Sequence, residues 1–167
     1  MKIPVFVSCP TSLSPAQDQS RQLVLRQLSR FGLDPRALGR SDYPTEAPLR
    51  EVLVIARHCS GGIILGFEQL RCETGLGKPG TPQEWHVEHA IPLPTPWNHL
   101  EAGILFGLGL PLLIFRDNRV SGGVFDEGVT DVFIHGMPSS TDATSRRRQL
   151  GDVFLKWQAE VRRHYYG

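Results

Sequence analysis

The chain has 167 residues, enough to bury a core without disulfides or metal to hold it, so a single domain spanning 1–167 is expected. Eighteen Lys and Arg against 17 Asp and Glu leave a formal charge of +1, which gives no global field for gathering nucleic acid or anionic lipid. Cys9, Cys59 and Cys72 are odd in number and lack C-x-x-C spacing, which argues against a disulfide framework and suits a reducing cytosol.

Lys2 to Val7 reads as a strand that stops at Cys9-Pro10. Its apolar run is too short for a secretory signal, and no later segment reaches roughly 18 apolar residues, so a soluble cytoplasmic protein without membrane association is expected. Pro15 suits the first turn of a helix in which Leu23, Val24, Leu28 and Phe31 share a face opposite Arg21, Gln22, Arg26 and Arg30, with Gly32 as its stop. A short strand is predicted near Pro35 to Leu38, turn chemistry over Gly39 to Pro48, and a second helix marked by Leu49, Val52, Leu53 and Ile55-Ala56, closed by Gly61-Gly62.

Ile63 to Phe67 is a continuous apolar run of strand length, as in a strand buried on both faces of a parallel sheet. Residues 68–96 form a long connection, with a short helical turn predicted over Glu84 to Ala90. A helix then starts near Trp97 to Glu101 and ends near Gly109, and Pro111 to Phe115 and Val132 to His135 read as strands. In the last helix Leu150, Val153, Phe154, Trp157 and Val161 share a face, and Arg146-Arg147-Arg148 make a solvated start with no nucleic-acid role expected. This alternation predicts an α/β flavodoxin-like three-layer sandwich with a central parallel sheet.

In such sheets ligands bind outside the carboxyl ends of the strands. Ser8 to Thr11, Gly39 to Asp42, Gly66-Phe67 and Arg116 to Asn118 fall on that rim, and the helix carrying Glu101 begins there. Two readings of Glu101 are open. It is an ordinary acid of a first helical turn, stabilised by about 0.3–1 kcal/mol and facing water. Or, because Ala102 to Gly107 is too apolar to lie outside, it is a partly desolvated carboxylate suited to stabilising developing positive charge.

Two short patterns carry a family resemblance. Val5-Phe6-Val7-Ser8 resembles the first-strand motif of TIR domains, and Trp97-Asn98-His99-Leu100-Glu101 resembles their W-x-x-x-E signature. Glu101-Ala102-Gly103 with Gly107 and Gly109-Leu110-Pro111 is also similar to the E-x-G…G-K-P stretch of nucleoside 2-deoxyribosyltransferases. The sequence departs from these patterns at Asn98, where TIR domains have cysteine, and at Leu110, where the transferases have lysine. Gly39 to Pro44 only loosely echoes the R-D-x-x-P loop of TIR domains.

Both resemblances imply N-glycosidic bond cleavage at a catalytic Glu101. The TIR resemblance implies an NAD glycohydrolase or ADP-ribose cyclase, with NAD as substrate, no cofactor, and a signalling part in antiphage defence. The other implies a nucleoside 2-deoxyribosyltransferase or nucleotide N-glycosidase. A third alternative is a non-catalytic module that binds nucleotides or self-assembles, as a homo-oligomer or on ligand binding. The substrate-binding candidates are Ser8, Cys9, Pro10, Arg40, Asp42, Phe67, Trp97 and Asn98, each with an ordinary alternative as a turn, loop or packing residue. Glu84, His86, Glu88, His89 and His99 fit neither H-E-x-x-H nor H-x-x-E-H, so no metal is expected.

Overall fold

The computed structural model describes residues 2–37 and 47–167. The chain opens with β1 (Ile3–Ser8), α1 (Pro15–Arg30) and β2 (Leu33–Arg36). Ser14 starts α1 with a reciprocal cap: its hydroxyl accepts from the Gln17 amide at 3.2 Å, and the Gln17 side chain accepts from the Ser14 amide at 3.0 Å. Gly32, at φ 70°, turns the chain out of α1 into β2, two residues earlier than predicted. Pro35, which has no N–H to donate, is tolerated in β2 because that strand is an edge.

Next come α2 (Pro48–Arg57) and β3 (Gly62–Gly66), all of whose residues are buried. Gly61 and Gly62 do not close α2 as expected: the helix stops at Arg57 with His58 as its cap, and Gly62 already belongs to β3. A Cβ on Gly61 would stand 2.6 Å from Val161, and one on Gly62 would stand 2.7 Å from Leu105, so the pair lets helices on opposite faces approach the same strand.

Residues 68–95 form an arm of nested antiparallel pairs. It carries β4 (Leu70–Cys72), β5 (Leu76–Gly77), β6 (Trp85–His86) and β7 (Ile91–Leu93), with β4 paired to β7 and β5 to β6. The helical turn predicted over Glu84 to Ala90 does not form. Trp85-His86 pairs as a strand, Glu84 binds the Gly80 amide at 2.6 Å, and Lys78 and Gly80 turn the chain at positive φ. Asp117 braces the root of the arm, accepting from the Glu68 amide at 2.9 Å and from the Gln17 side chain at 3.3 Å.

The chain closes with α3 (Pro96–Gly107), β8 (Leu112–Arg116), a 3-10 turn at Gly123–Phe125, β9 (Ile134–Gly136) and α4 (Thr144–Tyr166). The central sheet has the order β2-β1-β3-β8-β9 and is parallel throughout, a flavodoxin-like three-layer sandwich. Side chains alternate across the strands. Val5, Ile63 and Phe115 pack toward α1 and α4, whereas Phe6, Ile64 and Ile114 pack toward α2 and α3. Between β8 and β9 no α-helix forms; Val120, Val124 and Phe125 from that connection cover the α3 face instead. Arg146 to Arg148 are exposed near the start of α4, and no helix among the described residues is long and apolar enough to cross a membrane.

Candidate active site at the β1/β3 crevice

In a 2-1-3-4-5 sheet the strand order reverses between the first and third strands, which opens a crevice at their carboxyl ends. Here β1 and β3 flank that point. Cys9, Pro10 and Thr11 beyond β1, Gln69 beyond β3, and Thr95, Trp97 and Glu101 at the start of α3 line a pocket of about 240 Å³.

Helix α3 is set by Thr95, whose hydroxyl accepts from the Trp97 amide at 3.4 Å, and by Pro96 in the first helical position. This start puts Glu101 in the second turn, beyond the unpaired amides of the terminus, and the first turn holds no acid. The first-turn reading of Glu101 therefore fails. The residue lies on the buried side of α3 with Asn98, Ala102 and Leu105, and only 9% of its surface is exposed.

Burial pushes the Glu101 carboxyl up to about 7, against a weaker opposite pull from a hydrogen bond with Ser8. The buried Ser8 hydroxyl also accepts from the Asn98 side-chain amide at 2.8 Å, which leaves its proton for Glu101. Asn98 thus positions Ser8, and Ser8 positions the carboxylate. The cost is visible at Asn98, whose own carbonyl oxygen is buried without a hydrogen-bond partner. No ion pair among the described residues compensates the Glu101 charge.

The structure brings together most of the candidates read from the sequence. Cys9, Pro10, Trp97 and Glu101 line the pocket, while Ser8 and Asn98 stand behind Glu101. Phe67 does not join them: it is 0% exposed and packs in the core on the α1 and α4 side, so of its two readings the packing one holds and it is not a substrate-binding residue. Arg40 and Asp42 lie outside the described residues. Thr11, placed on the rim by the sequence but not among the substrate-binding candidates, also lines the pocket, and Gln69 and Thr95 are lining residues that sequence reasoning missed. Thr95 carried a signal, as a threonine directly before a proline and a helix; Gln69 carried none, since it comes from the arm.

Among the described residues, no three His, Cys, Asp or Glu side chains are grouped to hold a metal ion. His99 packs edge-on against Phe125 at 5.4 Å. Set against family models, curated proteins and solved structures, the chain matches none of them.

Proposed function

We propose that the protein cleaves an N-glycosidic bond through Glu101, and that its substrate is NAD, cut between nicotinamide and ribose. The observation that carries this reading is a buried carboxylate at the β1/β3 crevice with no cationic partner among the described residues. Such a charge is expensive in the empty protein, and a ligand that develops positive charge beside it relieves the expense.

As the bond from C1′ to the base nitrogen breaks, its electron pair leaves with the base and the ribose becomes oxocarbenium-like. Glu101 stabilises that cation or captures C1′ covalently, and water completes the hydrolysis. NAD is favoured over a neutral nucleoside by the absence of a second carboxyl or imidazole among the described lining residues. Nicotinamide in NAD is already cationic and departs neutral, needing no proton donor, whereas the base of a neutral nucleoside leaves poorly without one. Trp97 offers a half-exposed ring face to a base, and a pocket below the roughly 300–1,000 Å³ of drug-sized sites suits one base with its sugar.

The test is incubation of the purified protein, concentrated and dilute, with NAD and separately with deoxynucleosides, reading free base by chromatography beside Glu101→Gln. Nicotinamide released by the wild type alone supports the proposal. Base released only from deoxynucleosides replaces the substrate, and ligand-dependent thermal stabilisation without any product replaces catalysis with binding.

A further inference from the structure

Away from this crevice, the carboxyl ends of β8 and β9 frame a second cavity of about 600 Å³, bounded also by Ser20 of α1 and Arg146 of α4. Arg116, Arg119 and Arg146 line it with one lining carboxylate, Asp117, while Asp142 pairs with Arg146 and Glu68 feels the charge of Arg119 from outside the lining. Asp117 is already engaged with the root of the arm and with Gln17.

The three guanidiniums are aimed by the fold. Arg116 donates to the Phe125 carbonyl at 2.6 Å, and Arg119 donates to the Ala90 carbonyl at 2.7 Å. Arg146 stands 3.5 Å from Asp142. Each of these contacts occupies one part of a fork that carries five N–H donors. Neither Arg116 nor Arg119 has an ion-pair partner among the described residues, and Arg119 projects from a left-handed backbone at φ 69°, a conformation glycine adopts more easily.

We propose that this cavity is an anion site for a phosphate or diphosphate group of a nucleotide. Planar guanidiniums match phosphate oxygens in pairs, and the three here, two from the end of β8 and one from α4, keep N–H donors beyond those used on carbonyls and on Asp142, which phosphate oxygens can accept. Two sources share that chemistry. Along the same carboxyl rim the cavity is offset from the Glu101 pocket by two strand spacings, about 10 Å in the plane of the sheet, so the phosphates of a substrate held at Glu101 are one source. A separate phosphate-bearing ligand is the other. Only the first source rests on the reading of Glu101; the anion site itself rests on the arginines.

Calorimetric titration of inorganic pyrophosphate into the full chain at low salt tests the site without requiring turnover. Saturable binding is expected that weakens as salt is added, with affinity at least about fivefold lower in Arg119→Gln and in Arg146→Gln. Both side chains are exposed, and an unchanged Tm verifies that the variants fold. No binding to the wild type, or unaltered affinity in both variants, overturns the site. Nicotinamide release then assigns the source. A KM for NAD that rises in Arg119→Gln relative to the KM for nicotinamide riboside supports the substrate's own phosphates; a ratio equal to the wild type, with pyrophosphate affinity still lowered, supports a separate ligand.

Discussion

Two glutamates, Glu101 in the crevice pocket and Glu68 at the root of the arm just outside it, stand in opposite electrostatic states. On the α3 side Glu101 is buried and its carboxyl is pushed up to about 7. On the arm side Glu68 meets the Arg71 guanidinium at 2.6 Å, and that hydrogen bond holds its carboxyl below the usual value. Burial without a cation makes a group ready to change state near neutrality; a cation near water makes one that stays charged and inert. What separates a catalytic candidate from a surface acid here is the wall behind it.

The contrast is tested most severely by turnover. Glu101→Gln is expected to lower kcat by about 10³-fold or more, equivalent to about 4 kcal/mol of barrier, whereas Glu68→Gln should stay within about twofold. Equal losses would erase the distinction between the two glutamates. Because the ionised carboxylate is the working form, kcat/KM of the wild type should rise with pH through an apparent pKa near 7.

Stability should show the same asymmetry with a definite sign. A carboxyl whose folded pKa is raised binds its proton more tightly in the folded state, so the folded form gains protons between the ordinary value of 4.5 and about 7. Wild-type stability therefore falls as pH rises through that window, by at most about 3 kcal/mol. Glu101→Gln should remove this fall, its Tm advantage growing from nothing below pH 4.5 to several degrees above pH 7. Parallel Tm curves for the two proteins would mean that Glu101 is hydrated in solution.

Glycine substitutions compare packing in the central sheet with packing in the arm. A Cβ on Gly66 collides with the wholly buried ring of Phe125, and Gly66→Ala is expected to cost about 1–3 kcal/mol in urea unfolding. A Cβ on Gly77 collides with Trp85, but that ring is 47% exposed and can swing away, so Gly77→Ala should cost less than about 1 kcal/mol. The smallest effect is expected at Arg71. Arg71→Ala should leave Tm unchanged while returning the Glu68 carboxyl toward its ordinary value, read by carbon NMR.

The sheet and its helices were legible because their signals are local and long. Apolar runs such as Ile63 to Phe67, helical spacing in α1 and α4, and glycine or proline punctuation all act within one element. The arm was not legible, since strands of two or three residues carry no periodicity and take their pairing from partners up to 23 positions away, as Leu70 does from Leu93. At the site, the apolar sequence after Glu101 foretold its burial. The link from Asn98 to Ser8 crosses 90 positions, and nothing in either neighbourhood announces it. For Phe67 the packing alternative holds: β3 ends at the rim just before it, while its side chain turns back into the core.

The nested pairing of the arm has a kinetic consequence. Every ladder of the central sheet joins strands separated by a crossover, so its amides are released only when the packed layers part. The amide of Val87 is bonded to Gly75 and that of Gln69 to Leu93, within a unit that buries little and closes on itself. In hydrogen–deuterium exchange the arm should label by local opening while β1, β3 and β8 stay protected, so one wall of the crevice renews its solvent contacts far faster than the other.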